Sequence, residues 1–176
     1  MEPSRKEPQS AEELRALYDL LRSDPQEFLT RASSWIAQDP SNGGAYFTRH
    51  NGWMQVGQPE LALSDLNKSI ELEPSQMDFL SKGDVLRHLG RYPEAIAAYR
   101  QGEAMDPEGW EKDVIGLYCQ ADTFARLGDE RTALAYCSRL PDDFWTPGLQ
   151  GAPAGTKAEV AHQLRAVAAA APKNAQ

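Results

Sequence analysis

Apolar residues recur along most of this chain at the three- and four-residue intervals of an amphipathic α-helix. Two such stretches predict a helix pair within residues 10–42, with apolar faces formed by Leu14, Leu17, Tyr18 and Leu21 and then by Phe28, Leu29, Ala32, Trp35 and Ile36. Ser10 and Glu13 match a capping box at the start of the first helix. A last helix is predicted over residues 156–171, with Thr156 as its N-cap.

Between these ends the pattern repeats itself. Acidic-Pro pairs end at Pro40, Pro74 and Pro107, so the prolines are 34 and 33 residues apart. When the segments are aligned on these prolines, Ala62 coincides with Ala95, and the glycines at 57 and 90 coincide as well. A third copy follows a short insertion and keeps the spacing of Leu117, Ala121, Phe124, Gly128 and Ala133. Such a period is typical of a helical-repeat array.

The spacing and the residue sizes resemble the tetratricopeptide repeat family over about residues 43–140. The three copies are Tyr46, His50, Trp53, Ala62, Leu66 and Pro74, then Phe79, Gly83, Leu86, Ala95, Tyr99 and Pro107, then Leu117, Ala121, Phe124, Ala133 and Cys137. The resemblance implies an all-α fold, a solenoid of antiparallel helix pairs in a right-handed superhelix. It divides the chain into a degenerate N-terminal pair (10–42), three repeats (43–75, 76–109 and 110–140), a connector loop (141–155) and a C-terminal capping helix (156–171).

Small and special residues support the proposed register. Gly57, Gly90 and Gly128 are each expected to end a first helix, where a left-handed backbone conformation costs glycine little. Prolines at or near the start of second helices remove an N–H that would have no partner there. His50 departs from the pattern, which asks for Gly or Ala. We expect a local widening of the helix pair, with the imidazole hydrogen-bonded or partly exposed.

Composition excludes several classes of protein. The chain has 18 Lys and Arg and 26 Asp and Glu, a formal net charge of −8, which is unfavourable for general nucleic-acid binding. No apolar stretch approaches the roughly 20 residues that span a bilayer, and the N-terminus carries no secretory signal, so no membrane contact is expected. With only Cys119 and Cys137, a disulfide framework is not expected, and a cytoplasmic location is predicted. Residues 1–9 and 172–176 are predicted to be disordered tails.

Catalytic and metal-binding patterns are absent from the sequence, so no catalytic residue, metal or cofactor is predicted. The three histidines lie on different predicted helices, and the two cysteines do not have zinc-ligand spacing. Cys137 falls on a core position, whereas Cys119 is expected to be more open. An enzyme is the least favoured alternative, and it would require a site built from Asp84, His88 and Asp122.

By resemblance to the family, first helices line a concave partner-binding groove. The positions that map to it are Phe47, Thr48, Asn51, Met54, Gln55, Leu80, Ser81, Asp84, Arg87, His88, Tyr118, Cys119, Asp122 and Arg126. Some family members hold a C-terminal carboxylate with Lys and Asn side chains at set groove positions. Only Asn51 matches this carboxylate clamp, and therefore this binding mode is not expected. Arg87, His88 and Arg126 are hypothesised to receive an acidic group in another geometry.

These features favour a non-catalytic module that binds a peptide or a protein surface in the groove. The alternative is a dedicated secretion chaperone or immunity protein for one effector or toxin. The three first helices are close to neutral, so the excess acid is expected on second helices, turns and the N-terminal end. Phe144 and Trp145 in the connector are expected to pack back over the last repeat. A partner-facing patch, and with it self-association, stays open.

Overall fold

The computed structural model describes residues 11–149 and 151–172, and this part of the chain is predominantly helical. Its elements in chain order are α1 Ala11–Ser23, α2 Pro25–Gln38, α3 Gly43–Gln55, α4 Pro59–Leu72, α5 Gln76–His88, α6 Tyr92–Met105, α7 Pro107–Lys112, α8 Val114–Arg126, α9 Glu130–Ser138, β1 Trp145–Thr146, β2 Gly155–Thr156 and α10 Lys157–Ala170. The predicted tail over residues 1–9, the Ser10 cap and the end of the C-terminal tail lie outside the described residues.

The helix ends fall where the sequence pattern predicted them. Gly57, Gly90 and Gly128 all adopt positive φ, between 71° and 81°, and each lies two residues after the last residue of α3, α5 or α8. Positive φ is accessible to glycine at little cost, so this prediction is confirmed. Pro59 is the first residue of α4 and Pro93 the second of α6, where no N–H partner is lost. Pro107 follows the end of α6, and it also opens the additional short helix α7.

The chain separates into two compact units, residues 1–85 and 86–176, with the boundary inside α5. In the first unit, α1, α2 and α3 enclose an apolar core of Leu17, Phe28, Ala32, Trp35 and Ala45. Side-chain caps fix the starts of α2 and α3: Asp24 accepts from the Glu27 N–H and Asn42 from the Ala45 N–H. The α3–α4 contact is close enough for Ser69 Oγ to donate to the Gly43 carbonyl oxygen at 3.0 Å.

A buried carboxylate also joins α3 to α4. Asp65 accepts two hydrogen bonds from Arg49, at 2.7 and 2.8 Å, and one from Trp53 Nε1 at 2.9 Å. The Arg49 guanidinium lies over the rings of Tyr46 and Trp53. These contacts satisfy both carboxylate oxygens away from water, and they fix which faces of the two helices meet.

In the second unit α8 is buried around its whole circumference, because every residue from 116 to 125 is buried. It contacts α6, α7, α9 and α10. The predicted capping helix α10 begins with a complete capping box, in which Thr156 and Glu159 satisfy each other's backbone N–H groups. Cys137 is buried as predicted. The expectation of a more open Cys119 is wrong, since the helices and the connector around α8 cover every side of it.

The connector contains an antiparallel pair of two-residue strands, β1 and β2, that the sequence did not predict. The expected packing of its aromatics holds for only one of them. The Phe144 ring packs against the Tyr118 ring, with centroids 5.8 Å apart, whereas Trp145 points into solvent. None of the helices in the described ranges is long and apolar enough to cross a membrane.

Gly52 provides a test of packing in the first unit. A Cβ atom at this buried position would lie 2.6 Å from Leu29 Cδ2 and 2.9 Å from Phe28 Cδ1, across the α2–α3 contact. We expect Gly52→Leu to lower the free energy of unfolding by about 1–3 kcal/mol or more, since overpacking forces side chains and backbone apart. The melting temperature should fall by roughly 3–10 °C.

Gly44→Leu is the matched control for that change. Gly44 is exposed on the same helix, and an added Cβ would meet only the Asn42 side chain, at 3.3 Å. Its melting temperature should stay close to that of the unmodified chain. Equal melting temperatures for the Gly52 and Gly44 variants would contradict the close α2–α3 contact.

Candidate functional site

The predicted groove residues fall into two groups according to exposure. The exposed or half-buried ones are Phe47, Thr48, Asn51, Met54, Gln55, Ser81, Asp84, His88 and Arg126. The buried ones are Leu80, Arg87, Tyr118, Cys119 and Asp122. For this second group the structure corrects the expectation of a solvent-facing position. Leu80 and Cys119 are apolar side chains that burial removes from water. The contacts that bury Arg87, Tyr118 and Asp122 are described below.

The accessible group is most continuous on α3. Phe47, Asn51 and Met54 are spaced by four and three residues, so they lie on one face of this helix. Gln55 extends the same face and is exposed. Asn51 Nδ2 donates to the Phe47 carbonyl oxygen at 3.3 Å, and its Oδ1 accepts no hydrogen bond from the described residues. The α3 face therefore combines the aromatic ring of Phe47 and the flexible apolar side chain of Met54 with a hydrogen-bond acceptor, Asn51 Oδ1.

On α8 the predicted groove face is already covered by the chain itself. Tyr118 Oη donates to the Pro153 carbonyl oxygen at 2.5 Å, and Arg126 donates to the Gly151 carbonyl oxygen at 2.9 Å. Burial raises the pKa of Tyr118 to about 12, which keeps its hydroxyl a donor at neutral pH. Gly151 and Pro153 of the connector therefore contact the α8 positions at which the family resemblance predicted a bound ligand.

The buried carboxylate of Asp122 binds both of the arginines that were predicted to bind a partner's acidic group. Asp122 Oδ2 accepts from Arg87 at 3.1 Å and from Arg126 Nε at 2.8 Å. Partial burial opposes the charge on Arg126, but the hydrogen bond and the charge of Asp122 outweigh it, and its pKa is raised. The acid that both arginines bind therefore belongs to α8, and the burial of Arg87 corrects the expectation that this side chain receives a partner's acidic group.

His50 has a local structural explanation. The imidazole is buried, its Nδ1 donates to the Phe47 carbonyl oxygen, and its ring centroid lies 4.8 Å from that of Phe47. Burial lowers its pKa to about 4, against the opposing effects of the Phe47 hydrogen bond and of Asp65 and Asp78. The hydrogen-bonded ring was predicted, but partial exposure was not found. A neutral, buried imidazole on the inner side of α3 is not available to a partner.

The comparison with known families identifies the fold directly. A family model described as tetratricopeptide repeat matches residues 54–109 and 80–146, which together cover more than half of the chain. The chain belongs to the tetratricopeptide repeat family. The two matched ranges begin near the end of α3 and run through α9 to β1.

Curated relatives match part of this chain and are much longer. Tetratricopeptide repeat protein 28 of Homo sapiens is 35% identical over 74 residues, which are 42% of this chain and 3% of that protein. Bacteriophage adsorption protein A of Escherichia coli strain K12 is 27% identical over 114 residues, 62% of this chain and 11% of that protein. DnaJ homolog subfamily C member 3 of Rattus norvegicus is 32% identical over 104 residues, 56% of this chain and 20% of that protein. The chain thus spans at most a fifth of the length of these relatives.

Solved structures agree on the fold. A crystal structure of MamA superposes with a TM-score of 0.60 at 16% identity, covering 72% of this chain and 84% of that one. A second MamA crystal structure gives a TM-score of 0.62 with the same coverage of this chain. At this level of identity the likeness establishes the helical-repeat fold alone.

The tetratricopeptide repeat family generally serves as a non-catalytic interaction scaffold. No group of three or more His, Cys, Asp or Glu within the described ranges is arranged to hold a metal ion. Of the residues that an enzymatic site would require, Asp122 is buried against two arginines and His88 is exposed. Burial raises the pKa of the Cys137 thiol, which disfavours the nucleophilic thiolate.

Two contacts of the site residues and their surroundings were not predicted from the sequence. One is the Asp65–Arg49–Trp53 network, although Arg49 and Trp53 share a helix face at a four-residue spacing that was a usable signal. The other is the covering of α8 by residues 151–154 of the connector. No local pattern indicates that second contact, since its hydrogen bonds join backbone carbonyls to side chains 25 and 35 residues away.

Proposed function

We propose that this chain is a non-catalytic interaction module that binds a peptide segment or a protein surface on the α3 face formed by Phe47, Asn51, Met54 and Gln55. Tetratricopeptide repeats act as protein-interaction modules, and this chain carries them. The observation that supports the α3 face in particular is its accessibility. The equivalent face of α8 is buried, whereas the side chains of the α3 face are half-buried or exposed.

The residue types on this face suit protein recognition. Aromatic and methionine side chains are enriched where proteins meet, because they bury a large apolar area on contact. Phe47 and Met54 supply such area, and the thioether of Met54 adapts readily to different partners. Asn51 Oδ1 and the Gln55 amide would orient a partner's polar groups. The expected ligand needs no net charge, because the four residues of this face carry none.

The test is to substitute residues of the α3 face and to measure how much of each partner is recovered. We expect Phe47→Ala/Asn51→Ala/Met54→Ala to reduce recovery of specific partners at least tenfold in quantitative affinity purification, since central anchors dominate binding energy. The matched control is Leu61→Ala/Asn67→Ala, two exposed positions on α4. Circular dichroism would verify that both variants fold. Equal recovery of the same partners by both variants would refute the α3 face as the binding site.

A photo-cross-linking residue gives a direct readout of contact. Placed at Gln55, it should capture the partner that affinity purification recovers, whereas at Asn67 it should not. Both positions are exposed, so the two sites are equally open to solvent. Capture from Asn67 alone would move the interface to the second helices.

The second candidate is a dedicated partner protein, either a secretion chaperone or an immunity protein for one effector or toxin. The observation that favours it is the net charge of −8, because an acidic surface accelerates encounter with a basic partner. A gene for a secreted effector or toxin beside this one would support it.

We also propose that general nucleic-acid binding is not a function of this chain, since its charge opposes phosphate contact. A cytoplasmic location is our proposal too, supported by two buried cysteines that are free thiols.

A further inference from the structure

Three large apolar side chains that are exposed to solvent line a single pocket in the second unit. Ile115 is 54% exposed, Trp145 65% and Leu149 39%. They border a cavity of about 370 Å³ whose lining is mostly apolar. Scattered apolar residues are normal on a protein surface, but several that border one cavity mark an interaction site.

The pocket walls are held in place by hydrogen bonds and ring packing. Ile115 is fixed at the start of α8, where Asp113 Oδ1 accepts from its backbone N–H at 3.1 Å. Trp145 lies in β1 and pairs with Thr156 of β2. The floor is the Tyr118 ring, packed against Phe144 and tied to the connector through Tyr118 Oη and the Pro153 carbonyl oxygen. A preformed pocket of this kind loses little conformational entropy when it binds a ligand.

The charge at the rim indicates the chemistry of the occupant. Among the described residues that line the pocket, Asp143 alone is charged. It is exposed and forms no ion pair with the described part of the chain. The neighbouring Asp142 differs, since Lys157 Nζ lies 3.1 Å from its Oδ1. An apolar cavity beside an unpaired carboxylate complements an apolar side chain next to a cation.

We propose that this pocket is a second binding site, which takes a large aliphatic or aromatic side chain of a partner protein flanked in sequence by Lys or Arg. A second copy of this chain is a poor occupant, because each copy carries a net charge of −8. The site shares no residue with the α3 face. The two proposals can therefore fail separately.

A titration with synthetic peptides tests the site without the natural partner. The probe is a ten-residue peptide, acetylated and amidated, with one central Leu between two Arg and otherwise Gly and Ser. Two matched peptides replace the Leu with Ala, or both Arg with Glu. In ¹H–¹⁵N spectra of the full chain, the probe should shift the Trp145 indole signal, assigned through Trp145→Phe, and the Ile115 amide signal. Either replacement should weaken binding about tenfold.

Variants of the protein complete the test. Trp145→Ala should weaken binding of the probe at least tenfold, because it removes a central aromatic anchor. Asp143→Asn should weaken it about two- to fivefold and reduce its dependence on salt, as for an exposed ion pair. The controls Leu61→Ala and Glu12→Gln change an exposed apolar and an exposed acidic residue in the first unit, and they should leave binding unchanged.

Three results would overturn the proposal. The first is equal binding of the Arg and Glu peptides, and the second is probe-induced shifts confined to residues outside the pocket. The third is a dimer in sedimentation velocity that Trp145→Ala abolishes, because the occupant would then be a second copy. Loss of partner recovery in the α3 variant, with unchanged binding of the probe, would separate this site from the proposed function.

Discussion

Asp122→Ala is expected to lower the free energy of unfolding by about 3–5 kcal/mol, the range for breaking a buried ion pair on one side. The Asp122 side chain is 0% exposed and that of Arg87 only 4%. Removing the carboxylate takes from the buried Arg87 guanidinium the ion pair at 3.1 Å that helps to offset its desolvation. Arg126 is less affected, because it is partly exposed and also donates to the Gly151 carbonyl oxygen.

Urea denaturation followed by circular dichroism measures this effect. The matched control is Asp142→Ala, the same substitution at a carboxylate paired with Lys157 but 103% exposed. That change should cost only about 0–1 kcal/mol, as surface ion pairs do. A loss below about 1 kcal/mol for Asp122→Ala would show that the Arg87–Asp122 contact is not buried as the structure places it.

A variant that removes both charges distinguishes the cost of an unpaired buried charge from the cost of lost packing around it. The double change Asp122→Leu/Arg87→Met fills a similar volume with apolar atoms and removes both charges of the buried pair, while the partly exposed Arg126 keeps its hydrogen bond to the Gly151 carbonyl oxygen. Such replacements of buried ion pairs are often neutral or stabilising, so the double variant should be more stable than Asp122→Ala. If both variants lose the same free energy, the cost comes from packing around α8 and not from charge.

The sequence anticipated the features that depend on local pattern. Helix ends followed from Gly57, Gly90 and Gly128, because positive φ is a property of the residue and its turn. The pairing of α3 with α4 followed from the spacing of small and large residues over one repeat period. Thr156 as an N-cap followed from the four-residue pattern of a capping box.

The burial of α8 depends on contacts that are distant in the chain. Tyr118 meets the Pro153 carbonyl 35 residues away, and Asp122 meets Arg87 across the same separation. Aspartate and arginine are mostly exposed in proteins, so residue type is consistent with a solvent-facing position for both. The family pattern reinforced that expectation, since it assigns first helices to the groove and does not include this connector. The α3 face stays a prediction because it rests on accessibility and residue type.

The second large effect is the dependence of stability on pH that His50 confers. Its pKa in the folded chain is about 4, against 6.5 for an ordinary histidine. The unfolded chain therefore binds a proton at His50 between these values while the folded chain does not, so stability falls as pH falls from about 6.5 to 4. The shift corresponds to about 3 kcal/mol. At neutral pH the imidazole is neutral in both the folded and the unfolded chain, so this loss of stability does not arise.

The measurement is the free energy of unfolding from pH 7.5 to pH 4 for the unmodified chain and for His50→Ala, which installs the small residue that the repeat pattern expects. Carboxylates titrate in both proteins, so the difference between the two curves isolates His50. The unmodified chain should lose about 3 kcal/mol more than His50→Ala over this range. His162→Ala, which removes an exposed imidazole, is the matched control. Parallel curves for the unmodified chain and His50→Ala would mean that the imidazole can be protonated in the folded chain, and the ring would then have to reach solvent or a carboxylate such as Asp65 or Asp78.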